Sequence, residues 1–124
     1  VLQQLYETLK ENPRFKVFVY FSDHGEDVEH NYGHEASKFT ATMSHIPLFM
    51  VISPAFQAER LQTVEILRSH RDSYWTNDLI YNAMIDLLGI SGVPGSDLDW
   101  DLASSQYSMT KETLRTLHGK QTIQ

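Results

Sequence analysis

The sequence contains no cysteine. A disulfide framework and a thiolate metal site are therefore both excluded. Basic residues are in deficit: 10 Lys and Arg against 16 Asp and Glu give a net charge of −6 and a pI near 5.4. That balance argues against a nucleic-acid surface. It leaves phosphate-bearing substrates open, because a bound metal reverses the local field. Long apolar runs are missing too. The longest, Ile46 to Ile52, is far too short to cross a bilayer. No secretory signal is visible and position 1 is Val, so the chain is expected to be a piece of a longer protein. No repeat or low-complexity segment stands out. What is present is a hydrophobic fraction of 41% in 124 residues, enough for the core of one domain.

The most informative stretch is Phe15 to Gly25, Phe-Lys-Val-Phe-Val-Tyr-Phe-Ser-Asp-His-Gly. An apolar, β-branched and aromatic run ends in a polar cluster. Such a run fits a strand buried on both faces of a parallel sheet. Ligands of such sheets sit beyond the carboxyl ends of the strands, where Asp23 and His24 fall. Gly25 permits a sharp turn or a close approach of backbone. From this chemistry alone two readings stand. Asp23 and His24 are two ligands of one metal, for which imidazole favours zinc over calcium or magnesium. Alternatively, Asp23 caps a turn and His24 is merely exposed.

Ser22-Asp23-His24-Gly25-Glu26, followed by Tyr32-Gly33-His34, resembles the second half of the catalytic domain of phosphoethanolamine transferases, in the alkaline phosphatase and sulfatase superfamily. The likeness continues through His45-Ile46-Pro47 and Leu48 to Val51, then Tyr74 to Leu79, and ends at Thr116-Leu117-His118-Gly119-Lys120. It covers roughly residues 15 to 124. The resemblance implies an α/β fold, part of a three-layer sandwich with mostly parallel buried strands flanked by helices. Residues 1–124 would be the carboxyl-terminal portion of a periplasmic catalytic domain, tied to the bacterial inner membrane by a missing amino-terminal region. It implies transfer of phosphoethanolamine from a phospholipid donor to lipid A or a lipopolysaccharide-core sugar. It also implies one zinc ion or two, and a phospho-threonine intermediate whose threonine lies upstream. Asp23 and His24 would hold metal, and His34 would contact the phosphoryl group or a second metal. Isolated residues 1–124 would then bind zinc weakly and lack activity. A sulfatase or phosphodiesterase of the same superfamily is the nearest alternative. A non-catalytic module that packs, dimerises or binds a partner is the other class, and unpaired strands in such a piece are expected to self-associate.

Elsewhere the periodicities are ordinary. Leu2, Leu5, Tyr6 and Leu9 predict a helix over residues 1–11, packed on the sheet and ended by Asn12-Pro13. Arg14 to Phe21 and Ile46 to Ile52 read as buried strands, the second terminated by Pro54. Residues 23–45 form a long polar loop of the kind that is often functional. Glu59 to Arg71 has an apolar face and cations at its end, as a helix should. A further helix starts from Thr76 as N-cap, with Asp78 in its first turn, and closes at Gly89 with Ile90 placed to pack back. Residues 91–96 are turn, 97–109 irregular, and the tail holds a short helix or a strand near 121–123.

The remaining polar residues are weaker candidates. Glu26 is either a partner orienting a ligand histidine or part of a solvated loop. Asp27, Glu29 and His30 read as solvated loop. His45 suits a capping role, and His70 suits a helix terminus. His118 has no evident chemistry. Asp97, Asp99 and Asp101 mimic the start of an EF-hand, but Leu102 and Ser108 stand where that loop needs glycine and glutamate, which excludes it. Thr40, Thr42 and Thr63 lack the setting of a nucleophile.

Overall fold

The computed structural model describes residues 1–116 and 121–122. Among the described residues four helices, α1 (Leu2–Lys10), α2 (Pro54–Glu59), α3 (Leu61–Ser69) and α4 (Ile80–Leu87), accompany strands β1 (Val17–Phe21), β2 (Leu48–Ile52), β3 (Arg115–Thr116) and β4 (Gln121–Thr122). The α/β class expected from the sequence holds. The expected parallel arrangement does not: β1 and β2 pair antiparallel, from Val17 opposite Ile52 to Phe21 opposite Leu48. A parallel pair needs a crossover, usually helical. Here the connection has no α-helix, its helical turns being the 3-10 turns at Ala36–Lys38 and Ala41–Ser44, and it returns the chain to the end it left. The strands are not buried on both faces either. Val17 to Tyr20 are half-buried, while Phe21 and Phe49 are exposed.

The two faces of this pair differ. Leu48, Met50 and Ile52 pack on a core of Leu67, Ala83, Leu102 and Ala103, contributed by α3, α4 and the segment after the 3-10 turn at Leu98–Trp100. Phe18, Tyr20 and Phe49 lie on the other face. There Tyr20 stacks on Phe49 with ring centroids 5.0 Å apart, and Phe18 meets Phe49 edge-on at 6.1 Å. The amino-terminal helix forms as the spacing predicts, but it is not packed away. None of its residues is buried, and Tyr6 only meets Phe15 edge-on.

Pro54 does more than stop a strand. It occupies the first turn of α2, where its missing N–H is no loss. The Ser53 hydroxyl caps that helix by accepting the Phe56 N–H at 3.1 Å. Arg60 breaks α2 from α3 with φ −128° and ψ 46°. Its guanidinium then reaches Asp86 Oδ1 at 2.8 Å and ties α3 to α4. Gly89 ends α4 in the left-handed region at φ +67°. The Ile90 N–H donates to the Ile85 carbonyl at 3.0 Å, as a Schellman closure requires. The side chain of Ile90 nevertheless stays half-exposed. The terminal strand pair β3–β4 is short, and His118 lies outside the described residues.

Candidate functional site

The site lies at the end of β1, in the connection that spans residues 22–47. Beyond Phe21 the chain turns. The Ser22 hydroxyl donates to the His24 carbonyl at 2.7 Å, and Asp23 Oδ1 accepts the His24 N–H at 3.2 Å. The Asn77 amide donates to the Asp23 carbonyl at 2.5 Å, pinning this turn to the start of the α4 region. Close backbone packing explains why position 25 has no side chain. Its N–H donates to the Met43 carbonyl at 2.7 Å, and a Cβ there would stand 2.7 Å from the Thr42 carbonyl oxygen.

Asp23, His24 and His34 come together beyond the end of β1. His24 and His34 stack with ring centroids 4.4 Å apart and planes 27° apart. His24 Nε2 lies 3.7 Å from Asp23 Oδ2. His34 Nδ1 lies 3.6 Å from Glu26 Oε1, which places Glu26 beside the site. All three face a hollow of about 90 Å³ whose other wall is Phe39, Met43 and Ile46, with Thr76 and Asn77 at its edge. The side chains are open to solvent: Asp23 is 86% exposed and His24 43%.

The donor chemistry suits zinc at two positions. Two ligands each about 2.05 Å from a tetrahedral ion stand about 3.4 Å apart, close to the 3.7 Å between Asp23 Oδ2 and His24 Nε2. His24 Nδ1 lies 3.1 Å from the Gly25 carbonyl. A proton on Nδ1 donates there and leaves Nε2 with its lone pair free, the tautomer that a metal ligand needs. Among the described residues, however, no group of three or more His, Asp or Glu converges to hold an ion. Two donors are fewer than the three protein ligands that a zinc site needs.

One residue read as solvated loop is not. Asp27 is only 1% exposed. Its Oδ2 accepts the Thr40 hydroxyl at 2.6 Å, and its Oδ1 accepts the His30 N–H at 3.0 Å. His30 Nδ1 lies 3.0 Å from both carboxylate oxygens. The Thr40 hydroxyl first, then the His30 N–H, hold the Asp27 carboxyl down at about 2, against the opposing cost of burial. Thr40 is thus engaged with a weak base, which makes it a poor nucleophile. The spacing of Asp27 to His30 has the form of a local side-chain cap, the one sequence signal for this role. Asn77, too, escaped the sequence reading. Its amide acts across 54 positions on the Asp23 carbonyl.

The other candidates sit elsewhere. His45 is exposed. His70 does more than end a helix: its Nδ1 lies 2.9 Å from the Leu102 carbonyl, and its ring tilts against Tyr107. Asp97 caps a turn by accepting the Asp99 N–H at 3.0 Å. Asp101 is buried and accepts the Ala103 N–H at 2.9 Å. Burial pushes its carboxyl up to about 6, and the Asp86 charge adds to the rise.

Residues 1–90 match the family model described as Sulfatase. With most of its length matched, the chain belongs to the sulfatase family. The match takes in the Asp23, His24 and His34 region and stops short of the 116–120 tail. No curated protein and no solved structure matches the chain significantly.

Proposed function

We propose that residues 1–124 are the carboxyl-terminal part of a metal-dependent transferase catalytic domain that moves phosphoethanolamine from a phospholipid to lipid A or a lipopolysaccharide-core sugar. The observation that carries this reading is the meeting of Asp23, His24 and His34 at one hollow beyond β1. Family membership supports the wider class of ester chemistry. The finer subtype rests on the likeness of Ser22 to Glu26 and Tyr32 to His34. Localisation follows the same likeness: a catalytic domain in the periplasm of a bacterium, joined to the inner membrane. No helix among the described residues is long and apolar enough to cross a membrane.

Asp23 and His24 would hold a zinc ion, through a carboxylate oxygen and Nε2, with further ligands and the nucleophilic threonine drawn from outside residues 1–124. Zinc bound there supplies a lowered hydroxyl pKa and neutralises charge on phosphoryl oxygens. His34, stacked on His24, offers a ring nitrogen to a phosphoryl oxygen or to the departing oxygen. Glu26 Oε1 stands 3.6 Å from His34 Nδ1, beside this contact. Phe39, Met43 and Ile46 exclude water from one side of the hollow.

The family match also favours a second reading, hydrolysis of a sulfate ester or a phosphodiester at the same residues. One experiment separates the two. The longer protein, loaded with zinc, is given a phosphoethanolamine lipid with a lipid A acceptor, and separately an aryl sulfate. Transfer to the acceptor that is lost on chelation and restored by zinc supports the first reading. Sulfate release without transfer overturns it in favour of the second.

A further inference from the structure

The His24 and His34 rings meet only by stacking, and each is held from its own side, His24 at the Gly25 carbonyl and His34 beside Glu26. The 4.4 Å spacing has to be imposed from outside the pair. The backbone around Asp27 supplies one constraint. Its N–H donates to the Gly33 carbonyl at 2.7 Å, and the Gly33 N–H returns to the Asp27 carbonyl at 3.2 Å. This is an isolated antiparallel bridge between positions 27 and 33. The next pair outward in that register is Glu26 and His34, which is why these two side chains meet at 3.6 Å. Asn31 and Gly33 take φ +55° and +58° to let so short a ring close.

The side chain of Asp27 supplies a second constraint. Its Oδ2 accepts the Thr40 hydroxyl, and Thr40 leads into the 3-10 turn Ala41–Ser44. That turn carries the Met43 carbonyl, which accepts the N–H of Gly25, the neighbour of His24. Asp27 is therefore linked to both histidines by different routes, one through its backbone and one through its buried carboxylate. One route runs through Gly33 to His34, the other through Thr40 and Met43 to Gly25 and His24. Glu26, Val28, Glu29 and His30 are exposed, so apolar packing does not anchor the 26–30 side, while Met43 is buried in the turn opposite.

The structure assigns to Asp27 the role of positioning residue, setting His34 against His24 through Gly33 on one side and Thr40 on the other. Its importance for turnover rests on the role proposed above for His34. Misplacement of a reacting group by about 1 Å costs about a hundredfold in rate, so a modest loosening of this loop is enough to matter.

The test uses imidazole proton resonances together with turnover of the zinc-loaded longer protein. In the native protein the stacked rings shift one another's signals. Asp27→Ala and Thr40→Val are expected to abolish that mutual shift, while the methyl signals of Val64 and Ala83 stay in place to report an intact core. Thr40→Ser, which keeps the hydroxyl, is expected to restore it. Turnover should fall about a hundredfold in Thr40→Val and recover in Thr40→Ser. Unchanged His24 and His34 signals in Thr40→Val overturn the inference. Loss of the mutual shift with turnover intact leaves Asp27 as the positioning residue and overturns the role proposed for His34.

Discussion

Two regions of this chain are built on opposite principles. The core between α3, α4 and the 101–104 segment is held by apolar contact, with Val64 and Ala83 fully buried. The 22–47 connection buries little apolar surface and is held by hydrogen bonds, many of them ending at Asp27 or Gly25. Apolar packing tolerates changes of identity as long as volume is kept. A hydrogen-bonded loop has the reverse tolerance. It survives loss of bulk on its surface and fails when a single acceptor is removed or a single Cβ is added. Stability and chemistry should therefore separate by region, and substitutions can be chosen to break that separation.

The largest effect is expected in the loop and should leave the core untouched. Asp23→Asn removes the negative charge a cation needs, and His24→Ala removes the ring nitrogen. Both side chains are exposed, so the melting transition should barely move. Transfer by the longer protein should fall on the order of a thousandfold. Zinc content, thermal unfolding and transfer rate measured on both variants form the check. Near-normal transfer by His24→Ala would remove the metal-ligand assignment.

The core should show the converse. Leu67 is 8% exposed and packs with Ala83, Leu102 and Ala103. Leu67→Ala leaves a cavity that neighbouring backbone cannot fill, at a cost of about 3 kcal/mol. Denaturant titration reads this directly. At temperatures where the variant remains folded, its transfer rate should match that of the native protein. A rate loss as large as that of His24→Ala would mean that the regions are not independent.

Gly25→Ala probes the border between them. The added methyl would meet the Thr42 carbonyl oxygen at 2.7 Å, closer than real contacts allow. The turn at Ala41–Ser44 must move, and the His24 backbone with it. A stability loss of about 1–2 kcal/mol is expected, with a disproportionate fall in turnover. Stability and turnover both at native levels would show that the turn yields freely and that the close approach has no function.

The sequence made the site more legible than its frame. Asp23 and His24 stand out through their chemistry at a strand end and a family likeness, and His34 through the likeness alone. The helix stop at Gly89 was equally plain, since a left-handed backbone position has few occupants. Strand direction was not legible. A run such as Val17 to Phe21 has the same composition whether its neighbour is parallel or antiparallel, and the pairing is decided by a connection that carries no helical period. The burial of Asp27 was hidden for a related reason. An acidic residue among Glu26, Glu29 and His30 looks solvated until Thr40, 13 positions on, is known to reach it. Asn77 acts across still more chain. Contacts that depend on distant partners were hidden, and a feature fixed by local backbone chemistry, the stop at Gly89, was not.

The smallest expected effect concerns the one carboxyl in the core region whose charge opposes the packing around it. Asp101 is buried, and burial raises its carboxyl from the usual 3.8 to about 6, with Asp86 adding repulsion. The folded form thus keeps a proton that the unfolded form has released. Between about pH 4 and 6 the native state binds more protons, so stability falls as pH rises through that window and stays lower above it. Asp101→Asn keeps an oxygen for the Ala103 N–H but carries no charge. At neutral pH the variant should be more stable by about 1 kcal/mol, less than the whole shift implies because water screens part of the charge. Below about pH 4 the gain should vanish, since the native Asp101 is then neutral in both states. Denaturant midpoints of the two proteins at several pH values provide the measurement. A constant difference across the range would show that Asp101 acts through its hydrogen bond alone, and that charge plays no part in the stability of the core region.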